Sequence, residues 1–265
     1  TGRRRPAAGD RRPGTSDRGP GPKDVPTWEP PTDDELDALA ALRKQGTWEL
    51  QGCELKVTNL DKVLFPGRDD EPAVTKRELI AYFATIGPHL LPYLFDRAVN
   101  LHRYPDGAGG KSFWQKEVPD HAPDWITRWR NPDADPGETT WYVVADSVPT
   151  LAWLANHGAL ELHPWTSPTE AHDRPSWALF DLDPGTDTEW DELLTLARLH
   201  RTALEHLGVS AVPKVSGRRG IQIWVPVGGQ LSFDETRAWV EKVSRAIGAT
   251  VPDLVSWAWH KDERG

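Results

Sequence analysis

The sequence predicts an α+β fold with mainly antiparallel strands, and three observations carry that prediction. Strand-like segments follow one another without an intervening helix at several points. AVPKVSG and IQIWVPV are joined by a tight Gly-containing turn, the mark of an antiparallel pair. No βαβ repeat and no glycine-rich Walker loop occur, which argues against a doubly wound parallel sheet.

The elements follow in order. Residues 1–31 are rich in Pro, Gly and Arg, with almost nothing apolar to bury, and read as a disordered basic tail. TDDELDALAALRKQ reads as a helix with Thr32 and Glu35 as a capping box. TWELQG and CELKVTNL read as strands and DKVLFPG as a turn. TKRELIAYFATIGPHLLPYL reads as an amphipathic helix with a second capping box, Thr75 and Glu78. AVNLHRY and KSFWQKEV are expected strands, and DWITRWR a short Trp-rich helix. Then come strand WYVVADS, helix PTLAWLANHG, strands ALELHPW and WALFDLD, and a long helix from Asp187 closed by Gly208. Helix FDETRAWVEKVSRAIG follows the last strand pair.

The 265 residues suit one large domain with a tail, here residues 32–265 after the tail. The single cysteine, Cys53, excludes an intrachain disulfide framework and suits a reducing cytoplasm. No apolar run approaches the roughly 20 residues of a membrane span. The chain has no methionine, even at position 1, as expected of a piece of a longer protein. Its formal charge is −9, yet residues 1–23 hold seven Lys/Arg against two Asp/Glu. That balance argues against a general nucleic-acid coat and leaves room for a local basic groove.

The chemistry starts at WALFDLDPG, residues 177–185. Residues i and i+2 of a strand share a face, so Asp181 and Asp183 fall together at its end. Two adjacent carboxylates repel, and a hard divalent cation such as Mg²⁺ or Mn²⁺ relieves the repulsion through oxygen ligands. A two-ion site of this kind transfers phosphoryl or nucleotidyl groups. A DxD can equally serve as a helix cap with an Arg partner.

In VSGRRGIQIW, Ser216, Gly217 and Gly220 permit a turn whose N–H groups face an anion, and Arg218 and Arg219 add charge. A hairpin with exposed arginines is the plainer reading. His163 in LELHPW lies on a neighbouring expected strand. Asn59, Lys62 and Lys76 flank a turn and a helix N-terminus, which suits a terminal phosphate, although surface lysines are common. KSFWQKE interleaves Phe113 and Trp114 with Lys111 and Lys116, a pattern for stacking on nucleic acid. Strand alternation puts one aromatic on the exposed face and the other in the core.

With these stretches in hand, the chain resembles the polymerase domain of bacterial ligase D, in the archaeo-eukaryotic primase superfamily. TNLDKVLFP, RYPDG, FWQKEVPDHAPDW, LAWLANHGALELHPW, FDLDPG and SGRRGIQIWVP carry the resemblance, from about residue 47 onward. It implies a primase-polymerase-like fold: two facing, mainly antiparallel sheets with flanking helices and a central cleft. It implies template-dependent addition of nucleotides, often ribonucleotides, to DNA ends or gaps in non-homologous end joining, with two Mn²⁺ or Mg²⁺ ions. By the resemblance Asp181 and Asp183 are the metal ligands. His163, Ser216, Arg218, Arg219 and Gln222 are nucleotide contacts, Gln222 standing where many relatives have His. Asn59, Lys62 and Lys76 take a downstream 5′-phosphate, and Phe113, Trp114, Lys116 and Arg103 contact DNA.

The family's third aspartate lies beyond a segment resembling SWAWHKDERG, so it is expected after Gly265. Expected partners are gapped or broken DNA with a 5′-phosphate, nucleoside triphosphates, an end-joining ligase and end-binding proteins, in a bacterial nucleoid. A DNA-end bridging module with weak chemistry is the alternative, and a Mn²⁺-dependent glycosyltransferase, another DxD user, is more distant.

Overall fold

The structure is a computed structural model that describes residues 25–217 and 219–257. Arg218, the last eight residues and most of the expected N-terminal tail lie outside the described residues.

Helix α1 (Asp33–Ala41) starts on the expected capping box: the Thr32 hydroxyl accepts from Glu35 N–H, and Glu35 accepts from Thr32 N–H at 2.7 Å. Strands β1 (Gly46–Leu50) and β2 (Cys53–Val57) form a hairpin. Its two loop residues, Gln51 and Gly52, have φ of 49° and 76°, the left-handed pair that matches strand twist. Trp48, Leu50, Leu55 and Val57 point inward, and Trp48 Nε1 donates to Glu35 O at 2.7 Å, docking α1 on the hairpin.

The segment expected as a turn holds a short strand, β3 (Val63–Phe65), paired with β4 (Val74–Thr75). Helix α2 (Lys76–Leu94) follows on the Thr75/Glu78 box. The first sheet is built on β5 (Ala98–Arg103). One edge of β5 pairs with β9 (Ala159–Pro164). Its other edge is shared, first by β8 (Trp141–Val144) and then by β6 (Phe113–Gln115). Helix α3 (Val148–Asn156) is buried along its whole length against α2. Gly87 permits the contact, since a Cβ there would lie 2.9 Å from Val148 Cγ2.

The Trp-rich segment is not a helix. Residues Arg128–Arg130 form strand β7, which pairs with β8. A seven-residue helix closes few backbone hydrogen bonds, whereas the β8 edge offers a ladder. Trp129 then fits between Trp165, His172 and Tyr142, with ring centroids 5.4, 5.7 and 6.1 Å away.

The second sheet has the order β10 (Trp177–Leu182), β12 (Ile221–Pro226), β11 (Val212–Val215), all antiparallel. Helices α4 (Trp190–His206) and α5 (Phe233–Gly248) cover one face of it. The long helix thus begins three residues later than its sequence suggests. Buried apolar residues fall into two clusters, one with each sheet: Leu55, Ile80, Val99 and Leu151 belong to the first, Phe180, Leu204, Ile223 and Val243 to the second. Among the described residues no helix is long and apolar enough to cross a membrane.

His157 caps the C-terminus of α3, with Nδ1 2.8 Å from Trp153 O and its ring 4.1 Å from that of Trp153. Burial pushes its pKa down to about 4, and burial also lowers that of His200. Both groups are kept neutral by the fold, so the unfolded chain binds more protons below its ordinary His value near 6.5. Stability is therefore expected to fall as pH drops from about 6.5 toward 4. His157 accounts for on the order of 3 kcal/mol of that loss. Denaturant titrations across this range test it, and His157→Phe should flatten the slope.

Candidate functional site

Along β10, Ala178, Phe180 and Leu182 are buried under the helices, so Asp181 turns to the opposite face, and Asp183 stands one residue past the strand's end. Both aspartates are exposed. Asp181 pairs in register with Gln222 of β12, and Gln222 with Lys214 of β11, so these three share the open face.

The turn between β11 and β12 sits beside the acid pair. The Ser216 hydroxyl accepts from Gly220 N–H at 3.0 Å, and Ser216 N–H donates to Gly220 O at 2.9 Å. Gly217 takes φ of 90°. A Cβ on Gly220 would lie 3.1 Å from Leu182 O, so the turn presses on the backbone between the two aspartates. Arg219 donates to Thr188 O at 2.7 Å and to Thr186 O at 3.2 Å, strapping down the loop after Asp183. The expected nucleotide contacts Ser216, Arg219 and Gln222 are thus gathered around the DxD strand end.

The acid pair offers an oxygen-only donor set suited to Mg²⁺ or Mn²⁺. No cluster of three or more metal-ligating side chains occurs among the described residues, so they supply a two-carboxylate start of a site. A concavity of about 790 Å³ lies between α4 and β11, lined by Leu204, Pro213 and Ile223 on the helix-covered side of the sheet. It faces away from Asp181, so its size has no bearing on the acid pair.

The open face of the first sheet carries the expected His163 and Trp114. Cross-strand pairing places Asn100 beside His163, and His102 between Glu161 and Trp114. His102 and Trp114 rings stack 4.5 Å apart at 3°, and Trp114 meets His163 edge-on at 4.7 Å. Asn100 Oδ1 is shielded from solvent and has no protein partner. His102, Glu161 and Tyr104 are absent from the sequence-derived set. The signal for them was the i, i+2 spacing that links Glu161 to His163 and both Asn100 and Tyr104 to His102.

Both Phe113 and Trp114 are exposed, against the expectation that one would enter the core. They do point to opposite faces, but β6 is a short strand at the sheet's margin and covers no core. Phe113 lies under Arg103, whose guanidinium carbon is 5.2 Å from the ring centroid. Arg103 also donates to His157 O at 2.7 Å and Gln115 Oε1 at 2.6 Å. Lys116 is exposed just past β6.

Asn59, Lys62 and Lys76 meet at a basic corner. Asn59 takes φ of 53°, and its carbonyl accepts from Lys62 N–H at 2.9 Å. Lys62 O in turn accepts from Lys76 N–H at 2.8 Å, fixing the turn on the first residue of α2. Lys44, Asn59, Asp61 and Lys62 line an open hollow of about 340 Å³. Lys62 Nζ is held by Asp106 Oδ1 at 2.7 Å, which draws the Asp106 carboxyl below its ordinary range. Lys76 is buried, with Nζ 3.4 Å from Thr58 Oγ1. Burial, reinforced by the charges of Lys62 and Arg103, lowers its pKa to about 8.

Comparison with known proteins joins these parts. The family model described as "LigD, primase-polymerase domain" matches residues 75–265. The chain is 32% identical over 203 residues to the bifunctional non-homologous end joining protein LigD of Bacillus subtilis, covering 76% of this chain and 31% of that protein. It is 27% identical over 220 residues to the multifunctional non-homologous end joining protein LigD of Mycolicibacterium smegmatis, covering 82% of this chain and 28% of that one. The chain therefore spans about a third of the length of these relatives. Its fold matches the polymerase domain of Mycobacterium tuberculosis ligase D in complex with DNA. The TM-score is 0.70 at 27% identity, covering 80% of this chain and 74% of that one. A capped helix leading to β5, the FDLD strand and the closed Ser-Gly turn lie within the matched region, and the chain belongs to the LigD primase-polymerase domain family.

Proposed function

We propose that this chain is a nucleotidyltransferase that adds nucleotides, ribonucleotides preferentially, to DNA ends or gaps bearing a downstream 5′-phosphate, in non-homologous end joining. Its working domain is taken to begin near residue 32. One observation carries the reading: two exposed aspartates, Asp181 and Asp183, stand at the end of β10, with the Ser216–Gly220 turn pressed on the backbone between them.

Asp181 and Asp183 would hold the divalent ions, together with a ligand outside the described residues. Bound there, Mg²⁺ or Mn²⁺ would supply Lewis-acid activation of a hydroxyl nucleophile and neutralise triphosphate charge. The protein's own groups do the rest. The Ser216 turn and Arg219 bind the triphosphate, and Gln222 offers an uncharged hydrogen-bonding group beside Asp181. Thr186 O and Thr188 O hold two of the five Arg219 N–H donors, which fixes the guanidinium beside the loop after Asp183 and leaves the others for phosphate oxygens. His163 orients the nucleotide and Trp114 stacks on a base. Asn59, Lys62 and Lys76 hold the 5′-phosphate, with Arg103, Phe113 and Lys116 along the DNA.

A second reading, a DNA-end bridging module with little chemistry, draws support from Arg219, two of whose five N–H donors are engaged by backbone carbonyls. Primer extension on a gapped, 5′-phosphorylated duplex with Mn²⁺ separates the two. Extension supports the polymerase; 5′-phosphate-selective binding with no extension selects the bridging module. A ligase and end-binding proteins are the proposed partners.

Asp181→Asn or Asp183→Asn is expected to lower extension by about a thousandfold or more. Binding to the 5′-phosphorylated duplex should stay within about twofold.

Lys76 sets a pH dependence. Its charged form, favourable to phosphate, is lost as pH rises through about 8. The preference for 5′-phosphate over 5′-hydroxyl duplex should therefore weaken between pH 7 and 9. A bound dianion favours protonated Lys76 and moves the midpoint upward. Lys76→Met should lose about tenfold of that preference at pH 7 and show a flat profile, as read by fluorescence anisotropy.

A further inference from the structure

The open face of the first sheet holds a side-chain network that neither the acid pair nor the basic corner uses, and its hub is Glu161. Glu161 Oε1 accepts from the Tyr104 hydroxyl at 2.6 Å and lies 3.2 Å from His102 Nδ1. Glu161 Oε2 lies 2.9 Å from His163 Nε2. His102 Nδ1 is also 3.0 Å from the Tyr104 oxygen, and His102 Nε2 is 3.0 Å from Ser112 Oγ. Partial burial pushes the Glu161 carboxyl up, but the hydrogen bonds from Tyr104, His163 and His102 outweigh it, and its pKa falls below the ordinary value. Glu161 is therefore an acceptor on both oxygens, and each histidine must present N–H to it.

Two consequences follow from donor and acceptor accounting. His163 donates through Nε2, so Nδ1 is the ring nitrogen left to meet a ligand. His102 donates through Nδ1, which sets its ring plane. That plane lies 3° from that of Trp114, so the carboxylate that orients His102 also orients the stacking surface. Trp114 in turn packs edge-on to His163 and closes the circuit. Glu161 reaches the imidazole from two residues away on one strand and Trp114 across two others, β5 and β6.

We propose that Glu161 is a positioning residue for nucleotide binding: it holds His163 as the Nε2–H form with Nδ1 toward the incoming nucleotide and, through His102, fixes the plane of Trp114. This deepens the polymerase reading and rests on it. Glu161 itself touches no reacting atom. It acts as carboxylates behind metal-bound or catalytic imidazoles do, by selecting a tautomer and a ring orientation.

The test uses the full-length protein with ATP, Mn²⁺ and a gapped 5′-phosphorylated duplex, comparing it unaltered with Glu161→Gln and Glu161→Ala. Long-range ¹H–¹⁵N NMR at pH 8, with the His163 signal assigned through His163→Asn, reads the tautomer without nucleotide. The unaltered chain is expected to show His163 as Nε2–H. Glu161→Gln should give a mixture, because the two histidines meet different carboxylate oxygens and the amide keeps an acceptor at only one of the two positions. The KM for ATP should rise about tenfold, and the affinity for duplex should fall by less than that, since Trp114 is only one of several groups set along the DNA.

If His163 is Nδ1–H in the unaltered chain, the proposal is wrong. It is also wrong if Glu161→Gln changes only the melting temperature, leaving tautomer and KM as they were. If the tautomer behaves as expected but the unaltered full-length protein neither binds nor adds ATP, the orienting role of Glu161 on His163 stands and the polymerase reading falls.

Discussion

The register of β5 governs everything around it. This strand is central, with β9 along one edge and β8 and β6 dividing the other. Val99 and Leu101 enter the core, and Asn100 and His102 face the opposite way. A slip by one residue would invert that assignment, exposing two aliphatic side chains and burying an amide and an imidazole. The hydrophobic demand of the core thus fixes which residues line the open face. Because β9 and β6 are paired to β5 residue by residue, the same demand brings His163, Glu161 and Trp114 to one place from separate parts of the chain. The short β6 has no core of its own to satisfy, so its alternation exposes an aromatic on each side.

The second sheet repeats the logic with different chemistry. Phe180 and Leu182 are drawn under α4 and α5, so the intervening and following aspartates are turned outward. Burial of apolar neighbours is the force that turns Asp181 outward, at a strand end where Asp183 follows and a tight turn presses on the backbone between them. Opposite charge gathers elsewhere. Lys76 is buried at the start of α2 with Lys62 and Arg103 near enough to lower its pKa, an arrangement unfavourable for folding and suited to receiving an anion. A chain of net charge −9 therefore keeps a basic corner in which burial, with the charges of Lys62 and Arg103, lowers the pKa of Lys76.

The pattern of success along the chain follows from local physics. The capping boxes at Thr32 and Thr75 were legible because both partners lie within one helical turn. Helix α5 runs over the residues its amphipathic spacing indicates, Phe233–Gly248. DWITRWR was misread because its apolar spacing is too short to distinguish a helix from a strand. The deciding partner, β8, lies more than ten residues further on. The β3–β4 pairing escaped for a similar reason, being held by two short segments flanking a Pro- and Gly-containing loop.

The site divides in the same way. The i, i+2 spacing of Asp181 and Asp183 and the glycines of the 216–220 turn are local facts, and the sequence alone determined them, along with the family resemblance and the fold class. The Glu161–His163–His102–Trp114 circuit, the burial of Lys76 and the strapping of the DxD loop by Arg219 were decided by tertiary structure. The physical reason is range. A periodicity or a cap is set by neighbours a turn or two away. Which imidazole meets which carboxylate, or how far an ammonium is removed from water, depends on strands and helices that only the folded chain brings together.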